Sequence, residues 1–117
     1  MCGISGCIVN KELTNIQIDK TLALMKRRGP DNQNYRVFKF GEKFIYLFHS
    51  RLSIIDLNDR SNQPFSFRGY HLIFNGQIYN YRELKEKYLK EFAFNTKSDT
   101  EVLLYMFIKF GKDFEKK

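Results

Sequence analysis

The chain has 117 residues, 43% of them hydrophobic and 16% aromatic, and a formal net charge of +7. That length suits one domain at most, and two cysteines, Cys2 and Cys7, exclude a disulfide framework and a cysteine-rich zinc site. The basic excess points to neither nucleic acid nor membrane: in "YRELKEKYLKEF" the cations alternate with Glu83, Glu86 and Glu91, and the longest apolar runs, such as "FIYLF" at 44–48, are far too short to cross a bilayer.

Residues 2–9 read as a short buried strand. "TNIQIDKTLALMKRRG" reads as a helix capped by Thr14 or Asn15, with Ile18, Leu22 and Met25 on one face and Gly29-Pro30 as the stop. "NYRVFKF", "KFIYLFHS" and "RLSIIDL" read as strands, the first two joined at Gly41-Glu42, and "NDRSNQP" as a loop. In "YHLIFNGQIYNYRELKEKY" a strand, an Asn-Gly turn and a helix follow one another. "SDTEVLLYMFIKFG" is the clearest helix, with a Ser98–Glu101 capping box and Gly111 as its C-terminal stop. No leader with a basic start and long apolar stretch is present, so the cytoplasm is the expected compartment.

Four positions carry chemistry, each with a plainer structural reading beside it. Cys2 is either a small core residue or, once Met1 is removed, a thiol sharing one residue with a free α-amine that is about half neutral near pH ~8. Asn75-Gly76 is either a hairpin turn or a pair of donors, the Asn amide and the Gly N–H, aimed at one developing oxyanion. Arg51, in an apolar strand, is either a solvated edge cation or a planar fork for a carboxylate. Asp99, in a first helical turn, serves the helix dipole or anchors an ammonium.

Taken with "MCGISG", "RRGPD" at 27–31, "RLSIIDL", "NGQIYNYREL" and "SDTEVLL", these residues stand in an order and spacing that resembles the glutaminase domain of asparagine synthetase. That group belongs to the glutamine amidotransferases with an N-terminal cysteine nucleophile. The resemblance runs from Met1 to about Gly111. It implies an α+β fold of the N-terminal-nucleophile hydrolase type: four αββα layers with two antiparallel sheets, incomplete at the C-terminus of this chain. It also implies glutamine as substrate, Cys2, Asn75 and Gly76 as the catalytic set, and a glutamine pocket of Arg51, Leu52, Ile54, Ile55, Asn75, Gly76, Gln77 and Asp99. Gln77 departs from the usual glutamate of this motif, which removes one charge beside the substrate but keeps a carbonyl acceptor.

The resemblance further implies that residues 1–117 are the N-terminal part of the domain. The rest of that domain and an ATP-dependent synthetase domain, with its ATP and magnesium, would lie outside this segment, and no cofactor or metal is expected within it. The nitrogen acceptor would be aspartate or, alternatively, another acceptor such as a surface sugar; a third reading is a non-catalytic remnant that binds glutamine or a partner. A homodimer is the expected assembly of the longer protein.

Overall fold

A computed structural model describes residues 2–53 and 58–117. Its elements are β1 (Gly3–Val9), α1 (Asn15–Met25), β2 (Asn32–Phe40), β3 (Lys43–Arg51), β4 (Phe65–Phe67), β5 (Tyr70–Leu72), α2 (Tyr81–Tyr88) and α3 (Asp99–Phe110), with 3-10 turns at Asp59–Ser61 and Gly111–Lys116. The class is α+β, and both sheets are antiparallel: β1-β3-β2 and the hairpin β4-β5.

The first sheet is built around β3. Its register sets Gly3 against Ser50 and Cys7 against Tyr46 on one side, and Asn32 against Arg51 and Val37 against Tyr46 on the other. Directly opposed residues share a face, so Cys7, Val9, Phe44, Tyr46, Phe48 and Tyr35 lie together. There they meet Ile18, Leu22 and Met25 of α1 to make one apolar core. Thr14 caps α1, its hydroxyl accepting from Gln17 N while the Gln17 side chain accepts from Thr14 N. The helix ends at Met25, before the expected Gly29-Pro30 stop.

The opposite face carries Ile4, Ile8, Ile45, Leu47, Phe38 and Phe40 by the same register. Ile8 is 65% exposed and Phe40 78%. The expectation of a buried first strand is thereby corrected: α1 covers only one face of β1.

A second core belongs to the C-terminal half. Leu89, Val102, Leu104, Tyr105 and Met106 are buried, with Phe65, Phe67, Leu72, Leu84, Phe92 and Phe94 packed on them. Tyr105 is the hub, its ring touching Phe67, Phe92 and Phe94 at centroid separations of 4.7–4.9 Å.

Several local expectations change. The hairpin turn lies at Arg68-Gly69, both at positive φ (49° and 79°), joining β4 to β5. Such a pair of left-handed residues suits the twist of the flanking strands. Asn75-Gly76 joins β5 to α2, in the expected order of strand, turn and helix. Gly41, at φ 61°, opens the β2–β3 turn as expected. "RLSIIDL" is not a separate strand at its start: Arg51 closes β3, and Leu52 and Ser53 leave it. Its residues 54–57, including the pocket candidates Ile54 and Ile55, lie outside the described residues, as does Met1. Ser98 does cap α3, accepting from Thr100 N, and Gly111 stops it. Glu101 does not close a capping box. Its carboxylate, fully buried, accepts from Asn95 N, Thr96 N, Thr96 Oγ1 and the Tyr105 hydroxyl. Those bonds stitch the loop before α3 to the helix. Burial, then the hydrogen bond to Glu101, pushes the Tyr105 hydroxyl well above the ordinary tyrosine range.

Candidate functional site

Cys2 stands one step beyond the Gly3–Ser50 pair, level with Arg51 across the sheet. Its sulfur accepts from Leu52 N at 3.3 Å and its thiol faces Leu52 O at 3.7 Å. Arg28 Nε donates to the Cys2 carbonyl at 3.4 Å. The strand end beneath is fixed by the "RGPD" turn. A Cβ on Gly29 would fall 2.3–2.5 Å from the Ser50 and Arg51 backbone, so only glycine allows that approach. Pro30 bridges to Arg51, Asp31 N donates to Arg51 O, and the Asp31 carboxylate accepts from Ser53 N at 2.7 Å.

Arg51 is buried, and its Nη1 donates to Asn58 O at 3.0 Å and to Asn62 Oδ1 at 2.7 Å. The 3-10 turn at Asp59–Ser61 thus sits on the guanidinium. Ser61 is 2% exposed, and its hydroxyl oxygen has no partner among the described residues.

From the second half of the chain comes the segment 74–78. Phe74 N donates to Gln63 Oε1 at 2.6 Å, and Phe74 O accepts from His49 Nε2 at 3.3 Å. At the other end Ile78 N donates to Asp99 Oδ2 at 2.9 Å. A Cβ on Gly76 would strike the Phe74 ring at 2.7 Å, so the bend is closed tightly over that side chain. His49 is fully buried on β3. Its pKa is lowered to about 4, first by burial and further by the Arg51 charge, against the opposing effect of the Phe74 carbonyl. It is neutral at physiological pH. With Nε2 donating, its Nδ1 has no partner among the described residues.

These parts enclose one cavity of about 340 Å³ lined by Cys2, Arg51, Leu52, Asn75, Gly76, Gln77 and Asp99 together with Ser61, Gln63, Phe74, Tyr79, Ser98 and Thr100. The first seven are all the site residues expected from the sequence that fall among the described residues, so every one of them reaches the cavity. A thiol, a fixed cation, a buried carboxylate and a bend whose backbone donors have no partner among the described residues therefore surround a space fit for a small amino-acid-sized molecule. The sequence does not signal Gln63, Thr100, Ser61 or Phe74 as part of the site. Gln63, Phe74 and Thr100 are placed by pairings 11 and 37 residues apart, which no local pattern reveals. Among the described residues no three His, Cys, Asp or Glu side chains are grouped to hold a metal ion, and no helix is long and apolar enough to cross a membrane.

The whole chain, residues 1–117, matches the family of the glutamine amidotransferase domain. It is 36% identical to the putative glutamine-hydrolysing asparagine synthetase 2 of Methanocaldococcus jannaschii, over 97% of this chain and 25% of that protein. It is 39% identical to asparagine synthetase 1 of Bacillus subtilis, over 89% of this chain and 17% of that protein. It is also 34% identical to the amidase chry2 of Gibberella zeae, over 97% of this chain and 19% of that protein. The chain spans a quarter or less of the length of these relatives.

Proposed function

Because the chain belongs to the glutamine amidotransferase domain family, we propose that it hydrolyses glutamine to glutamate and ammonia with Cys2 as the nucleophile. The observation that carries this reading is the convergence of Cys2, Arg51, Asn75, Gly76 and Asp99 on one cavity. Glutamine is a zwitterion with a neutral amide at its far end. Arg51 takes the α-carboxylate and Asp99 the α-ammonium, with Leu52, Ile54, Ile55 and Gln77 completing the pocket.

After removal of Met1, the Cys2 α-amine takes the thiol proton and Sγ attacks the side-chain amide carbon. The tetrahedral oxyanion receives hydrogen bonds from the Asn75 amide and the Gly76 N–H, donors held ready before charge develops. Collapse breaks the C–N bond, and the amine returns the proton to the departing ammonia. Water then cleaves the Cys2 thioester and releases glutamate. The Leu52 N–H donating to the sulfur holds Sγ at the cavity wall.

The relatives are named glutamine-hydrolysing asparagine synthetases; on this reading the ammonia passes, in a longer protein, to a synthetase domain that would bind ATP and magnesium and convert aspartate to asparagine. The remaining strands of the domain cover the open face of the first sheet, completing a four-layer sandwich of the N-terminal-nucleophile hydrolase type, in a cytoplasmic, dimeric enzyme. A second reading, favoured by the similarity to proteins named amidases, keeps the glutaminase and replaces aspartate with another acceptor.

The test is glutamate release from glutamine by the protein at its natural length, with Cys2→Ala beside it. Loss of turnover by at least about 1,000-fold, with ammonia-dependent amidation preserved, is the expected outcome. Undiminished release in Cys2→Ala removes the cysteine from the mechanism.

A further inference from the structure

We propose that Gln63 is a positioning residue for the Asn75–Gly76 bend, an inference that rests on the glutaminase reading above. Gln63 is 5% exposed, and its single amide reaches two elements at once. The carbonyl oxygen accepts from Phe74 N at 2.6 Å, and the amide nitrogen donates to Thr100 Oγ1 at 3.3 Å in the first turn of α3. Phe74 is the residue before Asn75, and its carbonyl is taken by His49. Both hydrogen-bonding groups of that residue are therefore held by side chains of other elements.

The far end of the bend is held by Asp99, the neighbour of Thr100. Among the described residues, no backbone hydrogen bond engages residues 75, 76 or 77. This freedom leaves their N–H groups available to an oxyanion, and it leaves their location to the two ends. Gln63 and Asp99 tie both ends to one helical turn, so the first turn of α3 is the reference frame for the bend. The thiol stands in a different frame, the β1–β3 pair. Gln63 fixes the distance between donors and nucleophile without touching either.

A positioning role makes a kinetic signature. Removing one donor of an oxyanion hole costs about 100- to 1,000-fold in kcat, and a misplacement of about 1 Å costs about 100-fold. Gln63→Met keeps length and shape and removes both hydrogen bonds. In the protein at its natural length, glutamine kcat is expected to fall about 10- to 100-fold while KM stays within about threefold. Glutamate affinity by calorimetry and the rate of Cys2 alkylation by iodoacetamide are expected to stay at wild-type values, since neither needs the oxyanion donors. Thr100→Val, nearly isosteric, cuts the same tie from the other side and is expected to show the same split at smaller amplitude.

A merely structural role predicts something else: kcat, binding stoichiometry and alkylation falling together as the folded fraction falls. That pattern, or unchanged kcat, overturns the inference. If Gln63→Met does not fold, Thr100→Val decides by the same criteria. Wild-type protein without glutaminase activity overturns the parent reading, and the inference with it, whereas an active wild type with kcat unaltered in both variants overturns the inference alone.

Discussion

Gln77 lies exposed on the cavity rim, next to the glycine of the bend. A neutral amide there offers an ammonium group a carbonyl, where a carboxylate offers a charge-assisted bond. Bonds to charged groups contribute about 1.5–3 kcal/mol against about 0.5–1.5 for neutral ones. Gln77→Glu is therefore expected to lower glutamine KM by about 3- to 10-fold with little change in kcat, read from steady-state glutamate release. His49 makes a different prediction. It is neutral in the folded chain down to pH about 4, yet takes a proton near pH ~6.5 when unfolded. Its contribution is fully present above pH ~6.5 and is lost as pH falls toward 4, because the unfolded chain then binds the extra proton. His49→Gln keeps a donor for the Phe74 carbonyl without that titration. Its melting temperature is expected to fall less than that of the wild type between pH 6.5 and 4.5. Equal slopes would show that His49 does not govern the acid limb.

At the scale of elements, β3 and α3 do most of the positioning, and each needs a companion that sequence reading treats unequally. The "RGPD" turn locks the end of β3. Gly29→Ala drives a methyl group into backbone atoms that have no room to yield, so a cost of about 3 kcal/mol or more is expected, measured by denaturant unfolding. A loss below about 1 kcal/mol would mean that the turn can back away from Arg51. The local signals that are legible in the sequence share one property: they are satisfied within a few residues. The Thr14 cap, the Gly41 turn and the Gly111 stop are of this kind. Glu101 misleads because its spacing from Ser98 fits a capping box, while its real partners are Thr96, Asn95 and Tyr105. Asn75-Gly76 reads correctly as a turn between a strand and a helix; the hairpin that the dipeptide alone also fits has no return strand. Gln63 is invisible in the sequence, being one polar residue in a loop until Phe74 and Thr100 are seen on either side of it.

At the scale of the whole molecule, one face of the first sheet is exposed at both edges. Ile4, Ile8 and Phe40 present apolar surface from both edge strands, and exposed edges and faces of this kind pair with other chains. Residues 1–117 alone are expected to aggregate, and Ile8→Lys to raise their solubility. In a longer form whose additional strands cover that face, the same substitution buries a charge and is expected to destabilise by several kcal/mol. Raised solubility in the short chain with no cost in the long one would show that the face is never covered. The two cores also have a joint consequence. One is built from β1, β2, β3 and α1, the other from α2, α3 and the β4–β5 hairpin, and the cavity lies along their seam. The thiol and guanidinium ride on the first core; the bend and carboxylate ride on the second. Neither half alone holds the full cavity lining. On the proposed glutaminase reading, the protein at its natural length, severed between the cores, would become a split reporter that releases glutamate only while the two pieces are docked.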